Sequence, residues 1–438
     1  MRDLYLSPRL FAVLVGLAVT FVLGHFFPVF VRLGDVALVA LVGIVAGEAV
    51  VLWRGRLLVT REVAPRLSNG DENPVRLRVA SSYLVPVRAE VRDEAPPEFQ
   101  RRDLRLLVRV APGESEEVSY VMRPVRRGAY RFGHVVAFAS VGLGLVLRRF
   151  RGGEADEVAV YPAFHQLRSL DLVLRTERLD ALGIRPVRRR GAATSFEHVR
   201  EYARGDEVRH VNWRATARRG HLMVNQYEDE RAQPVVCLLD SARTMQMPFD
   251  GLTLLDHAIN ATVMLAGVAL AKGDMPGVAL FGRHPGAFVM PDRRRGQMEQ
   301  VLQALYRATP EEGESDLGRM AVEVERRLPR RSALVLFSNV ASHAGLARML
   351  PALRRLSARH LVVVVLFDNP LLRTLGETIP TDLEAAYGLA VARRMRAERF
   401  LLRTELQRAG LRVLHVPPQA LTPSLVGEYL TIKAEGAL

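Results

Sequence analysis

Polar side chains follow an apolar stretch at one point where they could hold a cation. The stretch "VVCLLDSARTM" (residues 235–245) runs from an apolar segment into Asp240, and Ser241 and Thr244 follow. A strand-end carboxylate with closely spaced hydroxyls is typical of a site for a hard divalent cation, because such ions prefer oxygen ligands. Ala242 interrupts the hydroxyls. The alternatives are therefore a metal site, a weakened metal site, or a strand that runs into a turn.

The elements that would position Asp240 form an alternating pattern from about residue 233 onward. Near-continuous apolar segments such as "PVVCLLD", "SALVLFS" and "HLVVVVLFD" alternate with segments of helical periodicity. Strands of this kind are covered by helices on both faces, as in a doubly wound parallel sheet. We therefore predict an α/β domain over 233–438, with ligands beyond the carboxyl ends of its strands. The polar residues predicted at that edge are Asp240, Arg283, His284, Ser338, Asn339, Asp368 and Asn369.

The region before this domain has a different period. Over residues 59–155, apolar and polar residues alternate with period two, which is typical of half-buried strands. Turn sequences such as "SNGDENP" and "APGES" separate about six or seven short strands. The strand count predicts a small immunoglobulin-like β-sandwich. Residues 156–232 are predicted to be a linker that carries a dense charged motif.

Two apolar segments near the N-terminus predict a transmembrane hairpin over residues 1–58. The segment 10–31 is long enough to cross a bilayer, which takes about 20 residues. The turn "RLGD" and a second apolar segment, 36–53, follow it. The hairpin would contact lipid through residues 10–53. Glu48 lies in the second segment, and the sequence leaves open whether it is functional or reaches out to the interface.

The charges around this hairpin predict its orientation. Arginines flank both outer ends, whereas the predicted turn has only Arg32, which is opposed by Asp35. The positive-inside rule therefore predicts a multi-pass protein of the inner (cytoplasmic) membrane, with both termini and the soluble domains in the cytoplasm.

The basic composition indicates codon bias more than a nucleic-acid surface. The net charge is +14, but only two of the 61 basic residues are lysines, Lys272 and Lys433. Attraction to acidic lipid or nucleic acid is the alternative. Because the arginine runs lack interleaved aromatic residues, no nucleic acid is expected. The single cysteine, Cys237, excludes an intrachain disulfide and a CxxC metal site.

The densest cluster of charged and aromatic residues is "SFEHVREYARGDEVRHVNWRATARRGHLMVNQYEDE" (195–230). Arginines among carboxylates and aromatic rings form bidentate pairs and stacks. The cluster is either a structural ion-pair network or a surface that recognises a partner or an anion. Its order of residues resembles the hallmark of the family called domain of unknown function 58 (DUF58). The matching residues include Arg200, Glu201, Tyr202, Gly205, Asp206, Arg209, Trp213 and Arg218.

This resemblance covers the whole predicted layout. Its bacterial and archaeal members resemble this chain in having two N-terminal spans, a β unit, the motif and a domain like von Willebrand factor type A. They are often encoded beside MoxR-type AAA+ ATPases. The resemblance therefore implies a protein partner, namely an ATPase of that type, and a role in protein assembly or envelope maintenance.

The resemblance also implies a composite cation site. Type A domains hold a magnesium-like ion through Asp-x-Ser-x-Ser, a later threonine and a second aspartate. The residues that match and keep an oxygen are Asp240, Thr244, Ser315 and Asn339. Ala242 replaces a serine and Asn339 replaces the second aspartate, so one ligand and one negative charge are lost. No cofactor is certain, and Mg²⁺ would bind only weakly. Alternatively, Asp240 accepts hydrogen bonds from nearby amides or pairs with Arg243.

These features predict a non-enzymatic, membrane-anchored interaction or adaptor protein at the cytoplasmic face. The alternative is a metal-assisted hydrolase that uses the strand-end site around Asp240. The sequence contains no P-loop, HExxH or GxSxG motif, which weighs against this alternative.

Overall fold

The computed structural model describes residues 3–99, 104–153, 156–165, 196–203, 211–227, 232–340 and 342–437. The chain forms two compact units, Met1–Tyr161 and Pro162–Leu438. The first unit contains β1 (Leu4–Leu6), α1 (Pro8–Gly24), α2 (Pro28–Arg54), β2 (Leu57–Glu62), β3 (Arg66–Ser68), β4 (Asn73–Ser81), β5 (Val87–Asp93), β6 (Arg105–Val110), β7 (Ser115–Met122), β8 (Gly128–Arg131), β9 (Val135–Ser140), β10 (Val146–Gly152) and β11 (Glu157–Tyr161).

The apolar hairpin turns earlier than the sequence predicts. Helix α1 ends at Gly24 and α2 begins at Pro28, so "RLGD" lies inside α2 and the prediction of a turn at 32–35 is wrong. Proline suits the first position of a helix because the amide that it lacks would have no partner there. Gly34 serves helix packing instead, since an added Cβ would lie 2.9 Å from the ring of Phe21. The predicted segments 10–31 and 36–53 shift accordingly.

The two helices differ in length. At about 1.5 Å per residue, the 17 residues of α1 span about 25 Å and the 27 residues of α2 about 40 Å. Pro28–Arg54 is long and apolar enough to cross a bilayer, and Pro8–Gly24 is a shorter apolar helix. The helix Leu254–Ala271 has a similar composition, but it is mostly buried in the second unit.

The strands of the first unit form a β-sandwich-like domain. The sheets are β1-β10-β9-β5-β6, β2-β4-β7 and β3-β11-β8. Burial alternates along β4 and β5, as the period-two pattern predicts. One core gathers side chains from these sheets and from the end of α2, including Leu52, Val75 and Phe132. The helical hairpin and the sandwich therefore form one unit, although the sequence divides them near residue 58.

Two strands of this domain lie outside the predicted boundaries 59–155. Strand β1 precedes the first helix and pairs with β10, and β11 lies in the predicted linker and pairs with β3 and β8. Both are short, so no periodicity reveals them.

The second unit contains the predicted α/β domain. Its elements are β12 (Phe196–Glu201), α3 (Trp213–Arg219), β13 (Met223–Tyr227), β14 (Pro234–Asp240), β15 (Pro248–Phe249), β16 (Leu252–Thr253), α4 (Leu254–Ala271), β17 (Met275–Phe281), β18 (Pro285–Val289), α5 (Gln297–Tyr306), α6 (Leu317–Arg327), β19 (Ala333–Phe337), α7 (His343–Ser357), β20 (Leu361–Phe367), α8 (Pro370–Glu377), α9 (Leu383–Arg408), β21 (Arg412–Val416) and α10 (Leu421–Ala434).

The main sheet has the order β18-β17-β14-β19-β20-β21. All its pairs are parallel except β17–β18, so only an edge strand is antiparallel. When the six strands are numbered by their order along the chain, with β14 as the first, this is the doubly wound order 3-2-1-4-5-6. The predicted parallel sheet is therefore confirmed. Val235, Cys237 and Leu239 pack into the core on one face, whereas Val236 and Leu238 pack into the core on the other. Burial on both faces explains why the strands are continuously apolar.

Candidate functional site

Asp240 lies at the point where the strand order of the sheet reverses. Strand β14 ends at Asp240 and pairs with β17 on one side and β19 on the other. In open α/β sheets, ligands bind in the crevice beside the carboxyl ends of such strands. The predicted position of Asp240 at this edge is therefore confirmed.

The Asp240 carboxylate is buried and has three internal donors. Its Oδ2 accepts hydrogen bonds from the hydroxyls of Ser315, at 2.9 Å, and Ser338, at 2.7 Å. Its Oδ1 accepts from the Ala242 amide at 2.9 Å. Burial raises the pKa of Asp240 above its ordinary value, although all three hydrogen bonds act to lower it. The sequence predicted Ser315 as a ligand of a cation shared with Asp240, and Ser338 only as one of the polar residues at the edge. The position of Ser338 directly after an apolar strand was the available signal.

Asn339 is held by a cationic side chain from a distant helix. Its Nδ2 donates to the carbonyl of Thr244 at 3.1 Å, and its Oδ1 accepts from Nη2 of Arg399 at 2.7 Å. Nη1 of the same arginine donates to the carbonyl of Val340 at 2.7 Å. Burial lowers the pKa of Arg399, and the charge of Asp368 opposes this shift. Sequence reasoning missed Arg399, which lies on α9 among many other arginines.

The four predicted ligands do not converge as a magnesium site requires. Asp240 and Ser315 come together, but Thr244 is exposed and reaches the cluster through its main-chain carbonyl. The side-chain oxygen of Asn339 faces the guanidinium of Arg399, a permanent positive charge. Among the described residues, no group of three or more His, Cys, Asp or Glu could hold a metal. The donor set therefore does not fit a cation bound by these four side chains.

A cavity of about 430 Å³ adjoins the cluster between β18, α5 and the loop that carries Ser315. Two of its polar groups have internal partners. The Ser241 hydroxyl donates to the carbonyl of Phe281 at 3.1 Å, and the Glu311 carboxylate accepts from the Arg283 amide at 3.1 Å. The Ser241 hydroxyl thus faces a carbonyl rather than a base. The lining residues are Ser241, Leu280, Gly286, Ala287, Gln300, Gln303, Ala304, Arg307, Ala308, Thr309 and Glu311.

The charged motif is described in part. Gly205, Asp206 and Arg209 lie outside the described residues, as does the side chain of Arg200 on β12. Oε1 of Glu201 lies 3.1 Å from Nε2 of His221. The main-chain amide of Tyr202 donates a hydrogen bond to the Leu222 carbonyl. Trp213 begins α3 and is exposed, as is Arg218 in its last turn. The motif therefore includes the β12–β13 pair and a short helix, and its two interpretations remain predictions.

Cys237 lies in β14, three residues before Asp240, and is buried. Burial raises the pKa of its thiol to about 12, so the thiol stays protonated and unreactive in the folded domain. Because it is the only cysteine in the chain, its modification reports on opening of the sheet.

We expect Arg399→Ala to destabilise the α/β domain by about 1–3 kcal/mol. The change leaves the Asn339 amide oxygen and the Val340 carbonyl without this donor, and unsatisfied buried groups cost about that much. The rate of Cys237 modification measures the effect and should rise about tenfold. Arg403→Ala, an exposed position one turn along α9, is the matched control and should leave the rate unchanged. Equal rates for the two variants would contradict the structural role of Arg399.

Comparisons with known proteins agree with the motif. Residues 198–411 match the family model described as "Protein of unknown function DUF58". The chain is 25% identical over 174 residues to the uncharacterized protein YeaD of Bacillus subtilis (strain 168). That alignment covers 40% of this chain and 41% of YeaD, so the chain spans less than half the length of this relative.

Two solved structures are similar to parts of the chain, both at low TM-scores. The CARDB domain of the PF1109 protein from Pyrococcus furiosus, solved in complex with di-metal ions, has a TM-score of 0.17 at 15% identity and covers 25% of this chain and 94% of its own. Proximal thread matrix protein 1 from the mussel byssus has a TM-score of 0.26 at 10% identity, covering 45% of this chain and 47% of its own. Neither likeness bears on function.

Proposed function

We propose that this chain, whose residues 198–411 match the model of the DUF58 family of unknown function, is a membrane-anchored interaction protein rather than an enzyme. Its α1–α2 hairpin anchors it, and its α/β domain, which is like von Willebrand factor type A, binds a protein partner at the cytoplasmic face. The partner is a MoxR-type AAA+ ATPase, and the process is protein assembly or envelope maintenance. Arginines at the outer ends of the hairpin, Arg9, Arg54 and Arg56, support this orientation.

The observation that carries the proposal is the internal pairing at the reversal point of the sheet. The Asp240 carboxylate has three donors from its own chain, and Asn339 is engaged by Arg399. To bind a cation or activate water, the carboxylate would have to give up hydrogen bonds in a buried place, where unpaired groups are costly. The hydrolase alternative needs that exchange, whereas partner binding needs none.

An exposed apolar surface near the same edge supports a protein partner. Helix α8 begins three residues after β20 ends, and the segment from α8 into α9 exposes large apolar side chains. Ile379 is 85% exposed and Leu383 88% exposed, and Leu371, Leu375 and Tyr387 are exposed beside them in the sequence. Clustered apolar side chains in water are typical of a surface that another protein covers.

Co-purification tests this proposal. We expect the tagged full chain, extracted from its native membranes, to recover a AAA+ ATPase. The variant Ile379→Asp with Leu383→Asp should reduce that recovery at least about tenfold, because charges in an apolar contact weaken it by more than about 1.4 kcal/mol. Val322→Asp, an exposed apolar position on α6, is the matched control and should recover as much as the wild type.

Two outcomes would overturn the proposal. One is failure of the wild type to recover any ATPase. The other is turnover of a generic ester or phosphoester that Asp240→Asn abolishes while the rate of Cys237 modification stays at the wild-type value. The second outcome would favour the hydrolase alternative, because the domain would still be folded.

A further inference from the structure

We propose that two turns of the β-sandwich, residues 82–86 and 141–145, insert into the interfacial layer of the bilayer beside the α1–α2 hairpin. The sandwich then rests on the membrane surface instead of being suspended above it. This inference rests on the membrane anchoring in the proposed function, and it adds a second, peripheral contact with lipid.

The turn 141–145 is fixed to α2 by one carboxylate. Glu48 is buried, and its Oε1 accepts from the amides of Leu143, at 2.7 Å, and Gly144, at 3.0 Å. Its Oε2 accepts from Leu145 at 2.8 Å and Val146 at 3.1 Å. Four successive amides converge on this carboxylate because the turn adopts positive φ angles at Gly142 (54°) and Gly144 (73°). The Leu143 side chain is left 60% exposed at the tip.

This turn lies at the level where the hydrocarbon core would end. A core of about 30 Å takes about 20 residues of each helix. Counted from the break at 25–27, those lengths end near the start of α1 at Pro8 and near Glu48 in α2. Nη1 of Arg9, in the first turn of α1, donates to the Leu143 carbonyl at 3.2 Å, which ties the turn to the same level.

The second turn is tied to the end of α2. The Tyr83 hydroxyl donates to the Leu52 carbonyl at 2.9 Å, and the Ser82 hydroxyl donates to the Arg56 carbonyl at 3.1 Å. The next residue, Leu84, is 94% exposed, and Val85 is also exposed. In the described loops of the sandwich, the exposed large apolar side chains are those of Leu84, Val85 and Leu143. All three therefore lie at the end where the apolar helices emerge.

The polar and aromatic residues at this end suit an anionic lipid surface. Trp53, Arg54 and Arg56 are exposed at the end of α2, and Nη2 of Arg88 donates to the Gly142 carbonyl at 2.5 Å. Tryptophan and arginine are typical of the membrane interface, where indole rings lie at headgroup level and basic side chains attract acidic lipids. Continuity with the apolar hairpin favours lipid over a protein as the occupant.

Site-specific fluorescence tests the insertion in the full chain. Leu84→Cys, Leu143→Cys and two reference variants are labelled with the polarity-sensitive fluorophore NBD and reconstituted in vesicles of phosphatidylcholine and phosphatidylglycerol. Leu107→Cys, an 83% exposed position on β6 of the same sandwich, is the matched control for a solvated site. Val39→Cys, exposed on α2, reports the anchor. The native Cys237 is buried and unreactive, so it does not compete for the label.

We expect NBD at positions 84 and 143 to be at least about twice as bright as at 107, and to be quenched by lipids with a spin label near the headgroup. Position 39 should be quenched by a label deep in the acyl chain. If NBD at position 39 is quenched but NBD at positions 84 and 143 is as dim and as weakly quenched as at position 107, the proposed insertion of the turns is wrong. The proposed anchoring by the hairpin would still stand. If 39 is not quenched either, the proposed anchor fails, and the insertion fails with it.

Discussion

Replacement of Asp240 by alanine is expected to accelerate modification of Cys237 by about a hundredfold. The change leaves the hydroxyls of Ser315 and Ser338 and the Ala242 amide without their common acceptor. An unsatisfied buried group costs about 1–3 kcal/mol, so about 3 kcal/mol is the low end for three such groups. Because about 1.4 kcal/mol corresponds to a factor of ten, this cost corresponds to about a hundredfold. Cys237 is the probe because it lies in the central strand of the sheet and reacts only when the sheet opens.

The measurement is the rate of reaction of the full chain, in detergent, with a thiol reagent at pH 8. Glu312→Ala changes an exposed carboxylate in the loop next to Ser315, so it controls for the loss of a negative charge in this region. Its rate should match that of the wild type. A wild-type rate in Asp240→Ala would show that the carboxylate does not hold the edge of the sheet together.

The same site predicts a pH dependence. Burial raises the pKa of folded Asp240 above its ordinary value of 3.8, so the folded state binds this proton more tightly than the unfolded chain. Stability from this group is therefore fully present below 3.8 and is lost as pH rises through the raised pKa. Relative to Asp240→Asn, which does not titrate, the free energy of unfolding of the wild type should fall as pH rises from 3.8 to the raised pKa. Above that pKa the difference should stay constant. Denaturant unfolding at a series of pH values measures the difference.

The second large effect is expected at Glu48. Glu48→Ala removes the acceptor of four main-chain amides, and hydrogen bonds to charged groups contribute about 1.5–3 kcal/mol each. We expect the amides of residues 143–146 to exchange with solvent at least about a hundredfold faster, because the turn loses the group that orders it. Hydrogen exchange of the full chain, followed by mass spectrometry, measures this rate.

Two further variants sharpen the Glu48 test. Glu116→Ala removes an exposed carboxylate on β7 and should leave exchange at 143–146 unchanged. Glu48→Gln keeps one acceptor oxygen but turns its own NH₂ group toward some of the amides of residues 143–146. In this variant those amides should therefore exchange at rates between those of the wild type and of Glu48→Ala. If Glu48→Ala exchanges like the wild type, the carboxylate does not order the turn.

Glu48 also illustrates what local patterns leave open. The sequence offered a functional acid within the membrane or a side chain that reaches the interface. The structure adds a contact that neither interpretation included, because Glu48 joins α2 to a turn about 95 residues later in the chain. Similarly, "RLGD" has the composition of a turn, yet Pro28 starts the helix earlier and Gly34 is needed where α2 packs on Phe21.

The sequence by itself determined the two kinds of β structure and the place of Asp240. Strands buried on both faces must be continuously apolar, and strands buried on one face must alternate, so residue order carries these features directly. Asp240 ends an apolar strand, and that position also follows from residue order alone.

Only the tertiary structure decided what surrounds Asp240. Ser315 and Ser338 lie 75 and 98 residues away in sequence, and Arg399 lies 60 residues from Asn339. No periodicity relates residues so far apart, because these hydrogen bonds form only once the sheet has assembled and the helices have packed on it. The physical reason is that a buried carboxylate needs donors, and the fold determines whether these are ligands from outside or side chains of the same chain.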